Sequence, residues 1–222
     1  MRFTNSFTEK YQSEILGREG SQHGEEGILI EIFKRLSITS GWAVDVGAWD
    51  GKCFNNIFHL VKTGNYKAIE IEADPLRFKG LENNTKDYPN MTIINSKVEL
   101  EGEKSLNNIL KTTSIPQNFE ILNIDIDSYD YQVWEGLDYN PIVVIVEFNP
   151  RFQDTEHIND KEYNLEDYAS YGSSFMSFIK LGEKKGYTFV CTCGCNMIFV
   201  KNYNFGLLDL DKNKLLQECL VK

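Results

Sequence analysis

The chain has 222 residues, 41% of them hydrophobic, which is enough for one well-buried α/β domain and too little for two of ordinary size. With 33 acidic against 23 basic side chains its net charge is −10, which argues against nonspecific attachment to nucleic acid or to anionic lipid, since both draw on Lys and Arg. No apolar run approaches the ~20 residues needed to cross a bilayer, the first six residues lack the apolar core of a signal peptide, and five cysteines without secreted-domain spacing read as reduced thiols, so a soluble cytoplasmic protein is expected.

Residues 1–40 read as a helical extension of a single domain that spans 1–222. Ile28, Leu29, Ile32, Phe33 and Leu36 recur at helical spacing, with Ser21 and Glu25 as capping groups ahead of them. Gln22 and Glu26 in the same segment are candidates for a lid, and His23 for a base. Trp42 to Val46 is an apolar strand that ends on an acidic, glycine-containing loop, Asp45-Val46-Gly47-Ala48-Trp49-Asp50-Gly51. This loop is expected to run directly into an amphipathic helix carrying Phe54, Ile57, Phe58 and Val61. Gly47 and Gly51 permit a tight turn and a close backbone approach to a ligand. A second strand, 67–72, ends on Glu72, which is placed to accept hydrogen bonds from both hydroxyls of a ribose.

The loop pattern is D-x-G-x-x-x-G, not the G-x-G-x-x-G of a pyrophosphate site, and Asp45 and Asp50 would repel phosphate at short range. A cofactor with a cationic amine and a sulfonium suits such acidity, and S-adenosylmethionine is one. Strands follow near 91–95, 120–124 and 141–147, with helical or turn-rich segments between them. Short runs such as Ile142 to Val146 suit central parallel strands buried on both faces.

Residues 149–172 are polar, aromatic and weakly periodic, too long for an ordinary connection. They read as an acceptor-side loop carrying Arg151, Phe152, His157, Tyr163, Tyr168 and Tyr171. A helix over 173–185 leads to strands 187–192 and 196–201, joined by the Cys193-Gly194-Cys195 turn. Cys191, Cys193 and Cys195 lack both the fourth ligand and the usual spacing of a structural zinc site, so they read as small apolar filler leading into a hairpin.

In such a sheet the site lies at the carboxyl ends of the strands. Asp45, with the backbone of Gly47, Ala48 and Gly51, is expected to face the methionine part of the cofactor, Glu72 and Ala73 the ribose, and Ser96, Lys97 and Val98 the adenine, with Asp125 close by. Asp125, Asp127, Glu147 and Asn149 gather at neighbouring strand ends, where two chemistries are open. One carboxylate could take the proton of an acceptor hydroxyl, or several hard oxygens could hold Mg²⁺ or Ca²⁺. The first is preferred and no metal is expected; His157 is a further candidate base.

Four further groups of residues belong with the loop Val44 to Gly51. They are Ile71-Glu72-Ala73-Asp74-Pro75 with Phe78, Leu81 and Asn83; Leu122 to Asp130; Ser21 to Gly27; and Tyr171-Gly172-Ser173-Ser174 with Lys185-Gly186-Tyr187 and Asn196. On these motifs the chain resembles the class I S-adenosylmethionine-dependent methyltransferases of the FkbM type, over roughly residues 20–201. The resemblance implies a doubly wound, mostly parallel seven-stranded sheet with an antiparallel last strand. It also implies O-methylation of a small-molecule acceptor such as a sugar or another polyhydroxylated metabolite. The chain departs from the pattern at Ala48-Trp49-Asp50, where many such enzymes have a second glycine, and at Ser128, where the family often has glycine. The alternatives are a metal-dependent O-methyltransferase of the catechol type, a NAD-dependent oxidoreductase and a non-catalytic cofactor-binding module.

Overall fold

The computed structural model describes residues 3–14, 20–152, 155–162 and 170–220. Seven strands form one sheet: β1 (Gly41–Val46), β2 (Tyr66–Glu72), β3 (Met91–Asn95), β4 (Asn118–Ile124), β5 (Asn140–Glu147), β6 (Tyr187–Cys193) and β7 (Asn196–Lys201). Their order is β3-β2-β1-β4-β5-β7-β6. The first five run parallel, and β7 lies antiparallel between β5 and β6. This is the doubly wound, mostly parallel sheet with an antiparallel last strand that the sequence leads one to expect.

Alternation along the strands divides the core into two layers. Val44, Val46, Ile69, Ile71, Leu122, Ile124, Val144 and Val146 point to one face, where α5 (Leu106–Lys111), α6 (Asp130–Glu135) and α7 (Phe175–Lys185) cover them. On this face Trp134 is fully buried among the rings of Phe178, Tyr187 and Phe199. Ala43, Ala68, Ile121, Val143, Ile145, Val190 and Ile198 point to the other face, against α1 (Ser6–Tyr11), α2 (Glu25–Leu36) and α3 (Phe58–Val61). α4 (Pro75–Thr85) follows β2, with Asp74 capping it through the N–H groups of Leu76 and Arg77. Two C-terminal helices, α8 (Asn202–Phe205) and α9 (Lys212–Leu220), were not anticipated; α9 packs on the edge strand β6.

The loop after β1 differs from expectation. No helix follows Gly51 directly; α3 begins only at Phe58 and lasts four residues. Two side chains compete for the N–H groups that would have started it. The Asp50 Oδ1 accepts from the N–H groups of Lys52 and Cys53 at 3.0 and 2.7 Å, and the Asn55 Oδ1 accepts from Ile57 and Phe58 at 2.9 and 2.8 Å. Among the described residues no helix is long and apolar enough to cross a membrane.

Candidate functional site

A cleft of about 690 Å³ opens at the carboxyl ends of β1, β2, β4 and β5. Its floor is the turn after β1. Gly47 there has φ 97°, and a Cβ on it would lie 1.8 Å from the carbonyl oxygen of Asp125, so only glycine fits. The Gly47 and Ala48 N–H groups both donate to the Ile71 carbonyl at 2.9 and 3.0 Å, tying the turn to β2.

Glu72 ends β2 inside the cleft. Its Oε2 accepts the Trp49 N–H at 2.8 Å and its Oε1 the Asp74 N–H at 2.7 Å. Each oxygen keeps a second lone pair for a ligand hydroxyl, so the carboxylate is aimed without being used up. Asp45 is held by the Asn123 side-chain amide at 2.7 Å, and Asn123 in turn accepts from the Asn56 amide at 3.0 Å. Burial pushes the Asp45 carboxyl up to about 7; the Asn123 hydrogen bond opposes this and the Glu72 charge adds to it. Ala73, Ser96 and Val98 complete this wall.

The opposite wall carries Asp125, Asp127 and Glu147, whose carboxylates each place an oxygen within 4.8 Å of the other two. Asp130 arranges them. It accepts the N–H groups of Ile126 and Ser128, both at 3.0 Å, which folds the chain back so that Asp127 adopts φ 63° and faces the cleft mouth. The left-handed residue is therefore Asp127 and not Ser128. Every influence on Asp125 raises it, first burial and then the charges of Glu147, Asp130, Asp127 and Asp45. Burial lifts Glu147 to about 7, with the Cys195 thiol opposing and Asp127 adding, and burial followed by the Glu147 charge lifts Asp130 to about 8. Burial also raises Asp127, and Arg77 lowers it.

The segment 20–25 crosses between the two walls. The Gly20 N–H donates to the Lys52 carbonyl at 3.0 Å. At the other end the Cys193 thiol lies 3.1 Å from the His23 carbonyl oxygen, and the Asn196 amide donates to Glu25 at 2.8 Å. The His23 ring rests on Gly194, where a Cβ would lie 2.0 Å from its Cδ2, and its Nε2 is 3.9 Å from the Cys195 Sγ. Gln22 lines the cleft. Ser21 and Glu25 both serve the entry to α2, accepting from the N–H groups of Glu26 and His23.

The structure thus brings Asp45, Gly47, Ala48, Glu72, Ala73, Ser96, Val98, Asp125, Asp127 and Glu147 to one cleft. Four expected site residues stand elsewhere. Gly51 packs against α4, where a Cβ would meet the Leu81 Cδ1 at 2.5 Å. Lys97 points to solvent and pairs with Glu162 at 3.2 Å. Asn149 shapes its own loop, accepting the Arg151 N–H and donating to the Tyr171 carbonyl. His157 lies flat on Phe152 with centroids 3.9 Å apart, and the Ser174 and Ser177 side chains bind its backbone.

None of the described residues of 149–172 lines the cleft; Tyr163 and Tyr168 lie outside the described residues. Asn159 holds this loop against the β4–α6 turn by donating to the Ser128 carbonyl at 2.9 Å. Asp50, expected to repel phosphate, is spent on the turn described above.

Sequence reasoning passed over Asn123, Cys195, Phe54 and Arg77, all of which line the cleft. Asn123 carries a signal that could have found it, a polar residue inside a strand that is apolar on both faces.

No protein-family model matches the sequence, and no curated protein matches it. Among solved structures the chain is similar to the N-terminal domain of EvdMO1 with SAH (S-adenosylhomocysteine) bound. The TM-score is 0.53 at 13% identity, covering 87% of this chain and 91% of that one. It is similar to the same domain in the presence of SAH and D-fucose, with TM-score 0.53 at 12% identity over 80% and 82% of the two chains. An S-adenosylmethionine-dependent methyltransferase from Clostridium acetobutylicum ATCC 824 gives TM-score 0.50 at 8% identity over 81% and 92%. At such identities what is shared is the fold: the chain has the Rossmann-like α/β architecture found in S-adenosylmethionine-dependent methyltransferases.

Proposed function

We propose that the protein is an S-adenosylmethionine-dependent methyltransferase of the FkbM type, transferring a methyl group to a hydroxyl oxygen of a sugar or similar small acceptor. One observation carries the reading: Glu72 and Asp45 line the strand-end cleft, and both Gly47 and Ala48 N–H groups are committed to the Ile71 carbonyl. A pyrophosphate would find carboxylates where it needs free N–H donors, which weighs against a NAD-dependent oxidoreductase. A sulfonium and an amine suit the same surroundings.

The described residues fit that cofactor. Glu72 would hold the ribose hydroxyls, Ser96 and Val98 would border the adenine, and Asp45 with the Gly47–Ala48 turn would flank the methionine end. When bound, the cofactor supplies an electrophilic methyl group. Glu147, inside the cleft and raised to about 7, would take the proton from the acceptor hydroxyl. Asp125 and Asp127 would hold neighbouring hydroxyls and so orient the acceptor within the cleft.

Calorimetry with S-adenosylhomocysteine and NAD in parallel tests the assignment: only the former should bind, and equal or tighter binding of NAD would sink it. The close grouping of Asp125, Asp127 and Glu147 favours a second reading, in which the three carboxylates hold a divalent cation that activates the acceptor. Turnover should withstand EDTA if the carboxylates act alone. Loss of turnover on chelation and its return with Mg²⁺ or Mn²⁺ would establish the cation instead.

A further inference from the structure

Two exposed aromatic residues stand at the mouth of the cleft, both on backbone that side chains of their size avoid. Trp49 has φ 51° and is 45% exposed; Phe54 has φ 56° and is 50% exposed. Left-handed backbone is strained for a bulky residue, and the same loop uses glycine for it at Gly47 and Gly51. Burial does not account for the rings, since half of each faces solvent. Glycine at either position would relieve the backbone, so the rings are kept for what they face.

Arg77 adds a charge to this rim. Its guanidinium lies 3.7 Å from the centroid of the Trp49 ring. It is the one cationic side chain among the described residues lining the cleft, against the carboxylates of Asp45, Glu72, Asp74, Asp125, Asp127 and Glu147. It forms no ion pair among the described residues. A guanidinium stacked on an indole keeps its in-plane N–H donors, which match a carboxylate or a phosphate.

We infer that Trp49, Phe54 and Arg77 form the acceptor-recognition rim, and that the acceptor is a sugar carrying an anionic group, a carboxylate or a phosphate. This rests on the methyltransferase reading and names its substrate class. The apolar C–H face of a sugar ring fits an aromatic face, while the acidic interior repels an anion. The anionic group is therefore held at the rim by Arg77, and the ring hydroxyls are turned inward to Asp127 and Glu147. One charge thus sets both the selection and the orientation of the acceptor.

The test uses the full chain saturated with S-adenosylhomocysteine, after its affinity for that ligand has been measured. D-glucuronate, glucose 6-phosphate and D-glucose are then titrated separately by calorimetry. At least one anionic sugar should bind tenfold or more tighter than glucose, and which one does so distinguishes carboxylate from phosphate. Arg77→Gln should abolish that preference. Trp49→Gly should weaken all the sugars about tenfold while melting no lower than the parent, because it removes a strained residue. Both variants should keep their affinity for S-adenosylhomocysteine within threefold.

Equal binding of the three sugars, or no binding of either anionic one, overturns the inference. So does an Arg77→Gln variant that loses S-adenosylhomocysteine as far as it loses sugar, for then the rim belongs to the cofactor. A parent chain that binds no S-adenosylhomocysteine before any sugar is added sinks the methyltransferase reading, and this one with it.

Discussion

At the β1–β2 end of the cleft each acid has donors assigned to it: two backbone N–H groups on Glu72 and the Asn123 amide on Asp45. At the β4–β5 end three carboxylates crowd within 4.8 Å, and nothing in their surroundings lowers Asp125. The same side-chain chemistry is pinned in one place and left under mutual repulsion in the other. Donors fix an acid's position and so suit it to holding a ligand, whereas crowding makes an acid ready to accept a proton or share a cation. The division is not complete, because Asp45, although pinned, is also raised by burial to about 7.

The largest effect that would separate the two ends is on turnover. Glu147→Gln removes the proposed proton acceptor and should lower kcat by about 10²–10⁴-fold, with S-adenosylhomocysteine affinity within threefold in calorimetry. An equal fall in both quantities would show that the ends act as one.

Glu72→Ala should do the reverse. Cofactor affinity should fall by roughly 1.5–3 kcal/mol, the worth of hydrogen bonds to a charged acceptor, while the folded state persists because the group sits at a strand end. A folded variant of unchanged affinity would remove Glu72 from the cofactor's contacts.

Stability against pH probes the crowding itself. Asp130 is raised to about 8, and Glu147 and Asp45 to about 7, from unfolded values of about 4. Between those limits these groups bind more protons in the folded state than in the unfolded one, so the stability they contribute is full below about pH 4 and is lost as pH rises through 7 to 8. Chemical denaturation of the ligand-free protein should give a lower midpoint at pH 8 than at pH 5. A higher midpoint at pH 8 would mean that the acids are ionised and compensated.

The smallest effect sharpens one contact. Cys195→Ala removes the hydrogen bond that holds Glu147 down, so the acid limb of the pH–rate profile should move to higher pH while turnover at its optimum falls only a few-fold. An unmoved limb would separate the thiol from the base.

The sheet was legible because parallel central strands are runs of apolar residues whose ends carry the site, as at Ile142 to Val146 followed by Glu147. The turn after β1 was only half legible. Glycine announces Gly47, but the periodicity of Phe54, Ile57, Phe58 and Val61 points to a helix, and the Asp50 and Asn55 side chains interrupt its first turns. Periodicity counts apolar positions and is blind to that local competition.

His157 and Asn149 stand away from the cleft for another reason: residue type and nearness in sequence to a strand end do not say where a long loop turns its side chains. Trp49 was visible as a departure from pattern. Its partner Arg77 comes from the next βα unit, a pairing that no local window contains.

The insertion of β7 between β5 and β6 has a consequence for how the protein is made. β6 has β7 as its neighbour in the sheet, and Cys195, at the turn between these strands, is itself a cleft wall against which His23 from the N-terminal segment packs. During synthesis the first five strands emerge in an order that lets neighbours pair as they appear, yet the cleft lacks its Cys195 wall until β6 and β7 have been made. These late, long-range pairings raise contact order and leave the β5 edge bare in the meantime. A half-made chain is thus a sheet with an open flank, whose strand-end cleft is laid out but lacks the Cys195 wall and the His23 ring that packs against that turn.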